Sequence, residues 1–381
     1  VHPAFQFDGE IETTNLRLRE AADFFGPRPV PAQLQGGANL QSRIRVAPGV
    51  AGYDVVLTEI AANVDQLAIT GKANMAGLLT SQPTFSITFA SPTIDLKTLF
   101  ARMPPQWIHP QLPGIVEQRQ LGGTVEIVSA TLTGATAPSP QLSLTGDFRI
   151  EKGTALIGND RVPTQDLSAT ISVEPGRIRV GKVTGSYGSL QMTDGKAVVS
   201  FLDEGPWMEL DISGNMTAAD LVKFLTKTIR ADRLTSLLAQ SREIEGQTHP
   251  TFRLVGPLDK PEGITFAGGE VLAEPVSLVN PSLPQRLTAM HGRILFSQTG
   301  GAQFDQVTAN VGETQLQFNG MISGGTPSVF QDFVIRAKGS AAQLRQMVSA
   351  GTFPDDLLYG MVNAKVQLSG PSGAPHLRGE I

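Results

Sequence analysis

Five histidines are the first candidates for chemistry: His2, His109, His249, His291 and His376. A metal site needs ligands a few residues apart on one element, or converging from several. No two of these histidines stand at ligand spacing. His2, His109 and His249 each precede a proline, as turn residues do. The chain has no cysteine, which removes thiolate ligands, disulfides and a cysteine nucleophile together. Two adjacent carboxylate pairs come next. Asp203/Glu204 precede Gly205-Pro206, and Asp355/Asp356 follow Pro354. Catalytic carboxylates converge from separate elements, so these pairs read as turns. There is no Gly-x-Ser-x-Gly, no Walker loop and no Gly-x-Gly-x-x-Gly. The residues give no ground for an enzyme, a metal or a cofactor.

Lys223, Lys227 and Arg230 form a basic stripe at helical spacing that could touch anionic headgroups. Asp232, Glu243 and Glu245 lie nearby in the sequence, so a solvated helix face is the simpler reading. Thirty Lys and Arg against 35 Asp and Glu leave a net charge of −5. Nucleic acid demands clustered cations, and none are clustered here; no nucleic-acid partner is expected.

The elements that must carry any function are strands. Apolar and polar residues alternate in Phe5/Phe7, Phe85/Ile87/Phe89, Leu142/Leu144, Leu210/Ile212, Ile264/Phe266, Leu316/Phe318 and Phe333/Ile335. The 40 Gly and 26 Pro fall largely between such runs. One apolar and one polar face per strand is the mark of an antiparallel sheet. Helical windows are few: Asn15–Phe25, Thr217 to about Glu243, and a short one opening at Ser340. Thr217 followed by Asp220 resembles a capping box with the shorter carboxylate.

Two elements recur at long period. An apolar strand ends at Gly, turns through Pro and re-enters a strand ending at Gly9, Gly146, Gly268 or Gly379. A strand breaking into a helix appears at 87–100, 210–225 and 334–348, aligning Leu96, Leu221 and Leu344 at spacings of 125 and 123. The expected organisation is repeats at 1–133, 134–255 (with the helix 217–243) and 256–369, and the start of a further one at 370–381. The fold class is mainly β: an elongated, curled antiparallel sheet of repeating β-groove units with a few short helices.

Periodicity alone fits a closed sandwich core or an open trough equally. With 18 Phe against three Tyr and two Trp, the rings suit a purely apolar neighbour. The scarcity of helices to cover the apolar face favours the trough. Its lining is then Phe5, Phe7, Phe85, Ile87, Phe89, Leu142, Leu144, Leu210, Ile212, Ile264, Phe266, Phe318, Phe333 and Ile335, and phospholipid acyl chains are the natural occupant.

Pro375-x-Leu-x-Gly-x-Ile381, its relatives ending at Gly9, Gly146 and Gly268, and Asp95-Leu-x-x-Leu99 resemble the AsmA-like family. So does the opening Phe5-Gln-Phe-Asp-Gly9 with Asn15–Gly26. That family includes the TamB- and YhdP-type proteins of Gram-negative envelopes. The resemblance implies a repeating β-groove in the periplasm and an inner-membrane anchor in the same full-length protein. It further implies phospholipid transport between inner and outer membranes, with some partner on the outer-membrane side. It carries over no site residue. The alternative is a periplasmic β-array that scaffolds other proteins without bound lipid.

Overall fold

A computed structural model describes residues 5–17, 37–50, 52–64, 67–80, 82–103, 105–135, 141–156, 163–228, 239–260, 263–281, 283–325, 327–347 and 360–380. The protein is mainly β, with nineteen strands in one sheet and a few short helices. The first six strands are β1 (Phe7–Arg17), β2 (Gly37–Pro48), β3 (Tyr53–Val64), β4 (Leu67–Leu78), β5 (Thr84–Asp95) and β6 (Gly122–Ala135). Six more follow: β7 (Gln141–Thr154), β8 (Thr164–Glu174), β9 (Arg177–Tyr187), β10 (Leu190–Leu202), β11 (Gly205–Thr217) and β12 (Arg242–Pro257). The last are β13 (Thr265–Val279), β14 (Leu287–Ser297), β15 (Ala302–Val311), β16 (Thr314–Ile322), β17 (Val329–Ser340), β18 (Met361–Pro371) and β19 (His376–Glu380). From β1 to β8, and again from β12 to β19, each strand pairs antiparallel with the next in sequence.

The chain packs as two compact units. One holds residues 1–186, 196–208 and 257–262; the other holds 187–195, 209–256 and 263–381.

Every sixth strand runs directly into a helix. α1 (Leu96–Arg102) follows β5, and a 3-10 turn (Pro105–Trp107) and α2 (Leu112–Arg119) follow it. α3 (Ala218–Thr228) follows β11, and α4 (Ala341–Met347) follows β17. Each of the three strand-to-helix junctions is capped by a side chain. Asp95 accepts from the backbone N–H groups of Lys97 and Thr98 (3.0 and 3.1 Å). Thr217 Oγ1 accepts from the Asp220 N–H (3.2 Å), and Ser340 Oγ accepts from the Gln343 N–H (3.3 Å). Such caps satisfy donors that the first helical turn leaves open. The caps stand 122 and 123 residues apart. Counting from them, the equivalent leucines are Leu99, Leu221 and Leu344, three residues from the alignment that used Leu96.

The same period is written into the backbone. Gly52, Gly176 and Gly300 take positive φ (89°, 71° and 82°) in the turns after β2, β8 and β14, at spacings of 124. Glu59, Lys182 and Gln306 are left-handed (φ 56°, 53° and 49°) in β3, β9 and β15, at spacings of 123 and 124. Glu59 and Gln306 sit at β-bulges, where the ladder skips from Leu57 to Ile60 and from Phe304 to Val307. A bulge inserts an unpaired residue, bends its strand and raises the local twist.

Two expected helices are corrected. Asn15–Arg17 end strand β1 instead of opening a helix: Asn15 is a left-handed bulge residue whose N–H donates to Asn39 Oδ1 at 2.9 Å. Residues 18–25 of that window lie outside the described residues. Of the helix expected over 217–243, α3 covers Ala218–Thr228 and residues 239–240 are again helical; Leu234, Leu237 and Leu238 between them lie outside the described residues. From Arg242 the chain is strand β12, because pairing with β13 outweighs a weak local helical preference. Helix α2 and the 3-10 turn were not expected, since Pro104, Pro105 and Pro113 punctuate a segment with no helical apolar period.

Candidate functional site: an apolar sheet face

Residues directly opposite across antiparallel strands share one face. In the first unit Phe7, Val46, Val55, Met75, Phe85, Gly134 and Leu142 form one continuous row over seven strands. The adjacent row is Gly9, Ile44, Leu57, Ala73, Ile87, Leu132 and Leu144. Between them, on the other face, run Arg45, Val56, Asn74, Ser86, Thr133 and Ser143. That face is largely polar, and it carries the Thr88–Thr131 hydroxyl pair (3.2 Å) and the Arg149–Glu126 ion pair (2.6 Å).

The apolar face is graded. Phe7 is 44% exposed, while Val46, Val55, Met75, Phe85 and Leu142 are half-buried. Toward the helices it closes. Phe89, Leu144, Val125, Ile127 and Phe148 are buried with Leu96 and Leu99 of α1, and Trp107, Ile108 and Met103 pack on that cluster. A depression of about 900 Å³ lies at the edge of this cover, lined by Phe85, Leu142 and Trp107 with Thr133, Ser143 and Gln106.

The second unit repeats the arrangement. Phe252, Gly269, Phe296, Ala302, Ile322 and Phe330 make one row, and Val307, Phe318, Ile335 and Val366 another. Here Leu221 and Leu225 of α3 are buried, and Phe252 and Phe266 meet edge to face at 6.0 Å. Phe333 is buried against Phe304 and Phe330.

The expected lining therefore divides three ways. Phe5 and Phe7 are exposed. Phe85, Ile87, Leu142, Ile264, Phe318 and Ile335 are half-buried. Phe89, Leu144, Leu210, Ile212, Phe266 and Phe333 are buried. Sequence reasoning missed Ile44, Val46, Val55 and Met75, which complete the rows; the alternation Ile44/Val46 was the signal. It also missed Trp107, which no strand pattern could supply.

The polar candidates do not converge. His109 stacks on Phe201 (centroids 3.9 Å apart), and burial lowers its pKa, which favours the neutral imidazole. His249 bonds Asn215 Oδ1 at 2.7 Å and lies 3.4 Å from Glu274. His291 and His376 are exposed on separate strands, and Asp203/Glu204 are exposed in the turn before β11. Lys223 pairs with Asp220 (3.2 Å). His2, Arg230, Asp355 and Asp356 lie outside the described residues, as does the Lys227 side chain. Among the described residues no group of three or more His, Asp or Glu is placed to hold a metal. No helix among them is long and apolar enough to cross a membrane. No family model matches the chain, and no curated protein and no solved structure matches it.

Proposed function

We propose that the protein is a non-enzymatic segment of a lipid conduit, carrying phospholipid acyl chains along its apolar sheet face. The observation that carries this is the unbroken row from Phe7 to Leu142, half-open to solvent over seven strands. At about 4.8 Å per strand such a row spans about 29 Å, close to the ~30 Å thickness of a bilayer's hydrocarbon core. A surface of that size needs a cover. Acyl chains fill it without demanding hydrogen bonds, and the absence of a point polar anchor in the row suits sliding rather than capture. The resemblance to AsmA-like envelope proteins favours the same reading. It adds a periplasmic setting, an inner-membrane anchor elsewhere in the protein and phospholipid delivery toward the outer membrane. Native mass spectrometry of the purified chain is expected to show bound phospholipid. Protein that is lipid-free, and that takes up none when incubated with phospholipid vesicles, overturns the proposal.

The buried end of the face favours a second reading. Phe89, Leu144, Phe266 and Phe333 are already sealed by protein, as in the core of a scaffold. A scaffold of that kind carries no lipid in the same measurement.

A further inference from the structure

A cluster of cations on the polar face of the second unit has no counterpart in the preceding repeat. Strands β14 to β19 enclose a depression of about 880 Å³ lined by His291, Arg336, Lys338, Lys365, Asn363 and Glu380, among others. Arg336 lies directly opposite Lys365, and Lys338 directly opposite Asn363. Like charges facing across a ladder are destabilising. The compensation is partial: Lys365 also has Glu380 directly opposite on β19, with Nζ 3.7 Å from the carboxylate, while Arg336 Nη1 donates only to the neutral Gln317 Oε1 at 3.5 Å.

The internal repeat supplies the control. Counted back from the helix caps Ser340 and Thr217, Arg336 is equivalent to Ser213 and Lys338 to Asn215. Across the partner strand, Lys365 is equivalent to Thr251. Ser213 and Thr251 do face each other, with hydroxyls 3.0 Å apart. The fold thus builds the same place from two neutral hydroxyls in one repeat and from an opposed Arg–Lys pair in the next. Architecture does not require the cations.

We infer that this depression binds a phosphate-bearing anion, held between Arg336, Lys338 and Lys365 with Asn363 as a neutral donor. Arg forks match phosphate oxygens, and Lys adds point charge. The volume falls within the ~300–1,000 Å³ of small-molecule sites. This site is independent of the lipid reading, because Ile335 and Val366 next to these cations point to the opposite side of the sheet.

The test uses the whole chain and a double variant, Arg336→Ser with Lys365→Thr, which installs the residues of the preceding repeat. Calorimetry with glycerol 1-phosphate is expected to show binding that the double variant weakens at least about tenfold, its circular dichroism unchanged. Sedimentation with phosphatidylglycerol vesicles separates the sources. Pelleting that the double variant loses, without binding of the free phosphate ester, assigns the phosphate to a lipid headgroup. Failure of the wild-type chain to bind either probe overturns the site, and so does equal binding by the double variant.

Discussion

Phe224 of α3 lies stacked on Phe252 of β12, their ring centroids 4.5 Å apart and their planes 29° from parallel. The helix thereby covers a strand residue only 3% exposed, at one end of the apolar row it shares with Phe296 and Phe330. Phe224→Ala is expected to cost about 2 kcal/mol, below a fully buried Phe because Phe224 is half-exposed. Urea unfolding measures that loss. If α3 also shields the apolar face, the variant binds more of an apolar dye than the wild type; a destabilised variant with unchanged dye binding would leave α3 as mere packing.

Met75 and Asn74 are neighbours that face opposite sides of β4. Met75 stands in the apolar row between Val55 and Phe85, and Asn74 opposite Ser86. Met75→Glu places a carboxylate in the lipid path and is expected to reduce bound phospholipid by about tenfold. Asn74→Glu adds the same charge on the other face and leaves it unchanged. Equal effects from the two would show that charge, not sidedness, governs uptake.

Asp220 tests a cap. Its carboxylate accepts from the Thr217 hydroxyl at 2.8 Å, too short to reach past it as the Glu of a capping box does. That hydrogen bond first, then Lys223, holds its pKa below the ordinary carboxylate value of 3.8. A depressed folded pKa gives stability that is present above the ordinary value and is lost as pH falls through the folded one. Asp220→Asn is therefore expected to be less stable than the wild type at pH 7, with the gap closing as pH falls below about 3.8. Thr217→Ala removes the cap itself and costs about 1 kcal/mol. Urea midpoints across pH check both.

Two glycines separate strain from collision. Gly146 (φ 151°) leaves no room, since a Cβ there would press on the Ser129 carbonyl; Gly176 (φ 71°) opens onto free space. Gly146→Ala is expected to cost about 2–3 kcal/mol and Gly176→Ala about 1 kcal/mol, read from thermal or urea unfolding. Equal costs would mean that backbone conformation alone decides.

How far the sequence could be read depended on the bulges. Where alternation is uninterrupted, as in Phe85/Ile87/Phe89, the strand and its apolar face were both legible. A left-handed residue breaks the parity: Leu57 is followed by Ile60, Phe304 by Val307 and Phe330 by Phe333 on their ladders. A step of three inside a strand reads as the beginning of a helix, as it does at Asn15, itself the bulge residue between Thr13 and Leu16. The lining was legible as a set of residue types. Its cover was not, because α2 and Trp107 follow a run of prolines, and burial under them depends on contacts distant in sequence. The opposed cations Arg336 and Lys365 stayed invisible for the same reason, lying 29 residues apart and meeting only through the ladder.

The recurring left-handed residues give this sheet something like a reading frame. Each bulge switches which of two alternating positions faces the apolar side, and the next strand is paired in step with that switch. Loss of Glu59 or Gln306 alone would turn everything beyond it in that strand inside out, as a frameshift garbles a message. Removal or duplication of a whole six-strand period would leave the phase intact. For an array built this way, the whole period is a unit of length that can be added or removed without rewriting any strand.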